Sequence, residues 1–248
     1  MTDMQVELVA VSGDDLLVVN AARASFGKES EWEVAGYTEE TDTGSRIVME
    51  WPEYKLSDKD AKLIRYLARE KHVLPFRHPQ ITLRIKAPVV VCRQLGKHQT
   101  GFSWSEESRR YIDFTPEFYW PDKWRRKAEN VKQGSSEQEV ESMCTSADGY
   151  VTTPQDLASA ALRHAVFAYE ELLHGGVAPE QARMVLPQNM MTTFVWTGSL
   201  LGYIQMLQLR LDAHSQKEIR DLAQMIAEVI KPLFPVSYAA LMGEDDGT

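Results

Sequence analysis

The alternation of apolar and polar positions predicts strands in the first half of the chain. Residues 5–11 alternate in this way and predict a first strand. Residues 80–92 also alternate and become wholly apolar over 89–91, which predicts a strand covered on both faces at its far end. Pro88 within it predicts an edge position or a bulge, since proline cannot donate to a neighbouring strand. Residues 111–118 predict a further strand or extended segment.

Helix start signals predict two helices in the same half. Asp14 or Asp15 can cap a helix over residues 16–24, because a carboxylate accepts from the free N–H groups of a first turn. Ser57 begins a second helix of capping-box type, which we expect to end near Lys71.

The second half is predicted to be mostly helical. Thr153 and Pro154 start a helix that ends at His174, and a shorter helix begins at Pro179 and ends near Leu186. The packed stripe of the long helix is predicted to be Ala158, Ala161, Leu162, Ala165, Tyr169 and Leu172.

Residues 186–226 are also predicted to be mostly helical. One face of this segment carries Leu200, Ile204, Leu207 and Leu211. Ser215 and Glu218 then form a predicted cap for another helix. Its predicted core face consists of Ile219, Leu222, Ile226, Val229 and Leu233.

Two polar stretches interrupt this pattern. Residues 28–56 predict a long loop or insertion that can cover an active site, and residues 122–152 predict a surface excursion. We therefore predict an α+β protein whose single domain spans residues 1–248, with insertions near 28–56 and 122–152. Its central, mostly antiparallel sheet is packed by helices, and its C-terminal half is helical.

Composition indicates an ordinary globular protein of the cytoplasm. The 248 residues are 44% hydrophobic and 25% charged, and no apolar run is long enough to span a membrane. The first fifteen residues lack the basic start and apolar core of a signal peptide. Cys92 and Cys144 make neither a disulfide framework nor a zinc site.

The chain has a net charge of −9, which argues against a nucleic-acid or membrane partner. The stretch at residues 93–111 is nevertheless basic. Its cations are Arg93, Lys97, His98, Arg109 and Arg110, interleaved with hydroxyl and amide side chains. Guanidinium forks beside hydroxyl groups suit a phosphate monoester. The alternative is a solvated, charged loop.

Two further groups, the histidines at 72 and 78 and the arginine at 210, can have either a structural or a functional role. His72 and His78 do not share a helix face, and no cysteine or carboxylate completes a ligand set, so no metal is predicted. Arg210 lies between two leucines, which predicts a half-buried charge that needs an anionic partner. That partner is either a bound ligand or a carboxylate such as Asp212.

The basic stretch resembles the signature of the flavin-dependent thymidylate synthases. That family usually shows Arg-Gln-x-x-Arg-His-Arg, seven further residues and then Ser-x-Arg-Tyr. Here Lys97-His98-Gln99 stands in place of Arg-His-Arg, and eight residues precede Ser108.

Other segments resemble the family in the same order. Residues 21–25 are similar to its Ala-Ala-Arg-x-Ser, and residues 72–78 to its His-x-x-Pro-Phe-x-His, with Leu74 and Arg77 in place of the usual hydroxyl residue and Glu. The C-terminal half matches Leu-Pro-x-Asn, aromatic-Trp-Thr and Leu-Arg-x-Asp-x-His-x-Gln at residues 186–189, 194–197 and 209–216.

The resemblance implies a nucleotide site and a flavin site. The implied dUMP contacts are Gln94, Lys97, Glu106, Ser108, Arg109, Arg110, Arg183 and Arg210. The implied FAD contacts are Ser25, His72, Lys97, His98, Gln99, Glu106, Ser199 and Gln205. Lys97 keeps a charge but loses the fork of arginine, Gln99 loses the charge, and Leu201 stands where many members have Arg.

The implied reaction is the reductive methylation of dUMP to dTMP. Methylenetetrahydrofolate supplies the carbon, reduced FAD supplies the hydride and NADPH reduces the flavin again. In the family the sites lie between subunits of a homotetramer. The substrates that the implied reaction needs are all small molecules, and no nucleic acid or membrane is expected as a partner.

Two routes can make C5 of the pyrimidine nucleophilic. An enzyme thiolate can attack C6, for which Cys92 is the nearby candidate, but it closes an apolar segment and is predicted to be an inert thiol. The other route is a positive group at the N3–O4 edge. Arg210 suits this role and matches the arginine that the family uses, so it is the predicted catalytic residue.

The altered triplet leaves two alternatives open. One is a relative that acts on another pyrimidine nucleotide or leaves a 5-hydroxymethyl product. The other is a nucleotide-binding homologue without catalysis.

Overall fold

The computed structural model describes residues 2–41, 48–112, 114–129, 134–144 and 149–244. The strands are β1 Gln5–Ser12, β2 Glu33–Thr41, β3 Val48–Lys55, β4 Gln80–Pro88, β5 Phe102–Glu106, β6 Arg125–Lys127, β7 Ser135–Glu139, β8 Met143–Cys144, β9 Val151–Thr152 and β10 Met191–Ser199. The helices are α1 Asp15–Arg23, α2 Asp58–Arg69, α3 Val89–Leu95, α4 Pro154–His174, α5 Pro179–Ala182, α6 Leu200–Arg210, α7 Lys217–Ile230 and α8 Pro235–Met242.

The central sheet has four strands in the order β1-β4-β10-β5, and every neighbouring pair is antiparallel. One face of it is apolar, because Ile81, Leu83 and Ile85 of β4 lie beside Phe194 and Trp196 of β10 and all are buried. Helices from both halves of the chain join this core. The predicted α+β class with an antiparallel central sheet is confirmed.

Stacked aromatic rings hold β5 at the edge of the sheet. Trp104 stacks on Phe194 at 3.7 Å between ring centroids, and Phe102 stacks on Trp196 at 4.2 Å. Gly198 makes room for this arrangement, since a Cβ at this position would lie 2.3 Å from the Phe102 ring. The stack fixes the strand that ends at Glu106.

Buried hydrogen bonds tie the first helix to the last. Asp14 caps α1 by accepting from the Leu17 N–H at 3.0 Å, as predicted. The neighbouring Asp15 accepts from the backbone N–H groups of Val236 and Ser237 at 2.9 and 3.0 Å, at the start of α8. Burial raises the pKa of the Asp15 carboxyl, and these hydrogen bonds oppose that rise.

The prediction that β4 continues to residue 92 is wrong. The strand ends at Pro88, which pairs with Met191 in a central strand rather than at an edge or a bulge. The N–H groups of Val89 and Val90 then bond the carbonyls of residues 190 and 188, both at 3.0 Å, and the chain turns into α3. The apolar run therefore forms the first turn of a short helix, in which Val91 is buried and Val89 and Val90 are partly exposed.

The prediction that residues 191–199 are helical is also wrong. This segment is β10, which pairs with β4 on one side and β5 on the other. Its β-branched and aromatic residues favour a strand, and the helical pattern begins only at Leu200. Residues 111–118 were predicted to be a strand or an extended segment, and the strand alternative is wrong for the described part, which contributes only the bridge between Phe118 and Met190.

The two insertions form small hairpins. The predicted long loop at 28–56 contains β2 and β3, which pair with each other outside the central sheet. The excursion at 122–152 contains the pairs β6–β7 and β8–β9.

The C-terminal helices follow the predicted pattern with two differences. Tyr169 is the one residue of the predicted α4 stripe that is buried, so most of that stripe is only partly covered. The predicted cap at Ser215 is wrong, because its hydroxyl donates to the Leu209 carbonyl at 3.0 Å and closes the end of α6 instead. Ile219, Leu222 and Ile226 of α7 are buried as predicted.

Within the described residues, the structure contains no helix with the length and hydropathy needed to cross a membrane.

Candidate active site

Two helices that follow neighbouring strands bring Arg210 to the basic stretch. The helix α3 leaves β4 at Pro88, which is the end of the sheet where β10 begins. The helix α6 has 11 residues, so it runs back about 16 Å from the opposite end. Arg210 Nε donates to His98 Nε2 and Arg210 Nη2 donates to the Gln94 carbonyl, both at 3.0 Å.

The positive charge of Arg210 has no carboxylate partner in the part of the chain that the structure describes. The alternative partner Asp212 instead accepts from the backbone N–H and the ring of His214, at 2.8 and 2.9 Å. Burial lowers the pKa of the Arg210 guanidinium, but an arginine stays protonated at neutral pH. A half-buried guanidinium is thus held by two neutral acceptors.

Arg210 lines a cavity of about 830 Å³, which we call the Arg210 cavity. One wall consists of Gln94 and Arg210 with the turn that follows α6. The opposite wall comes from the second insertion, through Lys123, Trp124 and Arg125.

His98 connects this cavity with a second one. Because His98 Nε2 accepts from Arg210, the ring is neutral in this arrangement. Burial and the Arg210 charge both lower the pKa of His98 and favour that state. His98, Gln99 and Glu106 line a cavity of about 410 Å³, the His98 cavity. The Glu106 carboxylate is oriented by Thr192 Oγ1 at 2.9 Å and Trp104 Nε1 at 3.1 Å.

A third cavity of about 760 Å³ lies between α1, α2 and the turn at residues 72–78. We call it the Ser25 cavity, since Ser25 and His72 both line it. The other basic side chains that line it are Arg23, which is paired with Asp60, and Lys28, Lys59, Lys62 and His78. Lys59 and Lys62 are exposed and make no ion pair with a described residue, so they are available to phosphate oxygens.

The remaining predicted site residues line none of these three cavities. Arg110 Nε donates to Ser108 Oγ at 3.1 Å on the surface. Arg109 is only 4% exposed and donates to the Phe114 carbonyl at 2.7 Å, so within one chain it supports the turn. Arg183 and Lys97 are exposed.

The two predicted flavin contacts near α6 have different surroundings. Ser199 is buried and caps α6 by accepting from the Gly202 N–H at 3.2 Å. Gln205 is exposed on the same helix. One chain therefore brings Gln94, His98 and Arg210 into contact, with Gln99 and Glu106 beside His98 in its cavity. Ser25 and His72 lie together in the third cavity.

Cys92 cannot act as a nucleophile in this arrangement. Its side chain is buried in α3 and donates to the Ala87 carbonyl at 3.6 Å. Burial raises the pKa of the thiol to about 12, so the thiolate is not populated at neutral pH.

Sequence reasoning missed several polar residues of these cavities. Lys59 and Lys62 are three apart on α2, so their helical spacing was a usable signal. Arg125 and Glu218 form a buried ion pair at 2.7 Å across 93 residues of sequence, and no local pattern indicates it.

The chain matches the family described as thymidylate synthase complementing protein over residues 7–236. It is 34% identical over 235 residues to the flavin-dependent thymidylate synthase of Thermosipho africanus, covering 95% of this chain and 89% of the relative. It is 36% identical over 237 residues to an enzyme of that name from Thermus thermophilus, covering 95% and 74% of the two chains.

Solved structures show the same likeness. The UMP/dUMP methylase PolB from Streptomyces cacaoi bound with 5-Br dUMP has a TM-score of 0.71 and 29% identity, covering 98% of this chain and 96% of that one. The same methylase bound with 5-Br UMP has a TM-score of 0.70 and 28% identity, covering 98% and 95%.

Proposed function

Since the chain belongs to the family of flavin-dependent thymidylate synthases, we propose that it converts dUMP to dTMP by reductive methylation. The observation that carries this proposal is the placement of Arg210. Its guanidinium is half-buried, lacks a carboxylate partner among the described residues, and lies where the Arg210 cavity meets the neutral His98.

Arg210 acts at the pyrimidine edge. As C5 becomes nucleophilic, negative charge develops at N3 and O4, and a fixed guanidinium stabilises it without waiting for solvent to reorganise. His98 and the Gln94 carbonyl hold Nε and Nη2, so the remaining N–H groups of the guanidinium are free to meet the base. No protein thiolate is needed, which agrees with the protonated Cys92.

A bound flavin supplies the hydride that completes the methyl group. The Ser25 cavity fits the phosphates of FAD, because Lys28, Lys59 and Lys62 line it together with Ser25 and His72. We assign NADPH and methylenetetrahydrofolate as co-substrates, in the roles of reductant and carbon donor.

Copies of the chain complete the site in a homotetramer. Ser108, Arg110 and Arg183 belong to the expected nucleotide site but line none of the three cavities of one chain. The apolar stripe of α4 is only partly covered within one chain, which leaves apolar surface for another copy. Measuring the mass of the protein in solution tests this assembly.

The test of the proposed function is turnover of dUMP by the purified protein with FAD, NADPH and methylenetetrahydrofolate. We expect dTMP, identified by mass, and a protein that binds flavin. UMP and dCMP are assayed in parallel, and a product heavier than dTMP by one oxygen atom would indicate a hydroxymethyl group in place of the methyl group. A colourless protein that binds dUMP without converting it would contradict the proposal.

A further inference from the structure

The second insertion reaches the Arg210 cavity through a buried ion pair. Arg125 of β6 donates from Nη2 to Glu218 Oε1 at 2.7 Å, and the two side chains are only 11% and 10% exposed. Arg125 Nε also donates to Ser135 Oγ of β7 at 2.7 Å. The pair fixes the β6–β7 hairpin to the first turn of α7.

The ion pair continues into the catalytic residues through hydrogen bonds. Gln216 Nε2 donates to Glu218 Oε2 at 2.8 Å, and Gln94 Nε2 donates to Gln216 Oε1 at 2.6 Å. The Gln94 carbonyl accepts from Arg210 at 3.0 Å. Side-chain hydrogen bonds therefore run from Arg125 to Gln94, whose backbone carbonyl separately accepts from Arg210. All five residues line the same cavity.

This path fixes the orientation of the Gln94 side chain. Its amide nitrogen is committed to Gln216, so its Oε1 remains as an acceptor for a donor on the ligand. Without Glu218 to hold Gln216, the Gln216 amide could rotate and the direction of the Gln94 amide would be lost.

Stability alone does not account for a charged pair at this position. Taking two charges out of water costs about as much as their attraction returns, and apolar residues of similar volume stabilise as well or better. Apolar residues could not, however, accept the hydrogen bond from Gln216. The connection to Gln94 requires a hydrogen-bond acceptor at residue 218, and Arg125 compensates the charge of the carboxylate that supplies it.

We propose that Arg125 is a positioning residue for the reaction, acting through Glu218 and Gln216 on Gln94 and thereby on the site of Arg210. This inference rests on the proposed function, because Gln94 and Arg210 are taken to bind the nucleotide. The insertion is then part of the active site rather than a surface addition.

The test uses variants that interrupt the path at two places. Gln216→Met removes the connection and leaves the ion pair intact, and Gln216 is exposed, so the variant folds. Arg125→Met with Glu218→Met removes both charges together, which avoids an unpaired buried charge. Arg126→Met is the matched control, since Arg126 is the exposed neighbour on β6 and its side chain makes no hydrogen bond or ion pair with a described residue.

We expect Gln216→Met and the double variant each to raise KM for dUMP about tenfold, as the loss of an oriented hydrogen bond does, while the thermal midpoint changes little. Arg125→Lys keeps a positive charge beside Glu218, so its KM for dUMP should lie much closer to that of the wild type than to that of the double variant. A triple variant that combines Gln216→Met with the double variant should raise KM no more than Gln216→Met or the double variant does alone, because effects along one path do not add. Arg126→Met should equal the wild type.

A folded Gln216→Met variant with KM and kcat within about twofold of the wild type would overturn the inference, as would full additivity of the two interruptions. A wild type that neither binds nor converts dUMP would instead overturn the proposed function. The two failures are therefore distinguishable.

Discussion

Arg210 donates to a histidine and a carbonyl rather than to a carboxylate, and this choice of partners leaves its positive charge uncompensated. The flanking leucines predicted a half-buried arginine correctly. They could not predict its partners, because His98 and Gln94 are 112 and 116 residues away in sequence. The sequence alternative, Asp212, was plausible only because it is close along the chain.

The neutral His98 predicts a pH dependence of stability. Burial and Arg210 lower the folded pKa of His98 below its ordinary value of 6.5, so the unfolded chain takes up the proton first. The contribution of neutral His98 to the free energy of unfolding is fully present above pH 6.5. It is lost as pH falls through the folded pKa, by up to about 1.4 kcal/mol per pH unit. Urea unfolding between pH 5 and 8 measures it.

The control for this effect is His98→Gln, whose amide oxygen can still accept from Arg210 but does not titrate. The wild type should lose stability relative to His98→Gln as pH falls below 6.5. Parallel stability curves for the two proteins would show that His98 does not carry the effect.

At the level of elements, two errors of prediction arose where apolar runs lacked a clear period. Val89–Val91 fits either the end of a buried strand or the first turn of a helix, and Pro88 alone marks the change between them. The apolar residues of 191–199 run without a break into the helical pattern that begins at Leu200, although their β-branched and aromatic residues favour β10. The helices α1, α2 and α4 had capping residues and were predicted well.

Gly198 of β10 has no room for a side chain. A Cβ there would lie 2.3 Å from the Phe102 ring, so Gly198→Ala must displace that ring from Trp196. We expect a loss of about 1–3 kcal/mol in the free energy of unfolding, measured with urea. Gly36→Ala in β2 is the control, because nothing lies within 4 Å of its added Cβ. Equal stability of both variants would contradict this packing.

At the scale of the whole molecule, the predicted site residues are divided among three cavities. No local sequence pattern could show how these cavities lie in space. Arg210 lines one cavity and His98 another, and a hydrogen bond joins the two side chains, whereas Ser25 and His72 lie in a third cavity between α1 and α2. The resemblance supplied the residue types of the site. It could not supply the wall contributed by residues 122–152, because this insertion has no counterpart in the family signature.

The basic Ser25 cavity in a chain of net charge −9 predicts salt-dependent flavin binding. Replacing Lys59 and Lys62 by Met should raise the Kd for FAD about tenfold at low salt and reduce the dependence of Kd on salt, as measured by flavin fluorescence. Riboflavin, which has no phosphates, should bind equally to both proteins. Lys55→Met is the control, since Lys55 is exposed outside this cavity. Unchanged FAD affinity would place the phosphates elsewhere.

The account depends most directly on which side chain activates the pyrimidine, and the rate of dTMP formation in a single turnover measures this. Arg210→Ala should lower that rate by about 100-fold or more, and Arg210→Lys, which keeps the charge but not the fork, should fall between it and the wild type. Cys92→Ser should remain active, because the thiol has a pKa raised to about 12 and is buried. A folded Arg210→Ala protein that turns over at the wild-type rate, beside an inactive Cys92→Ser protein, would contradict the account.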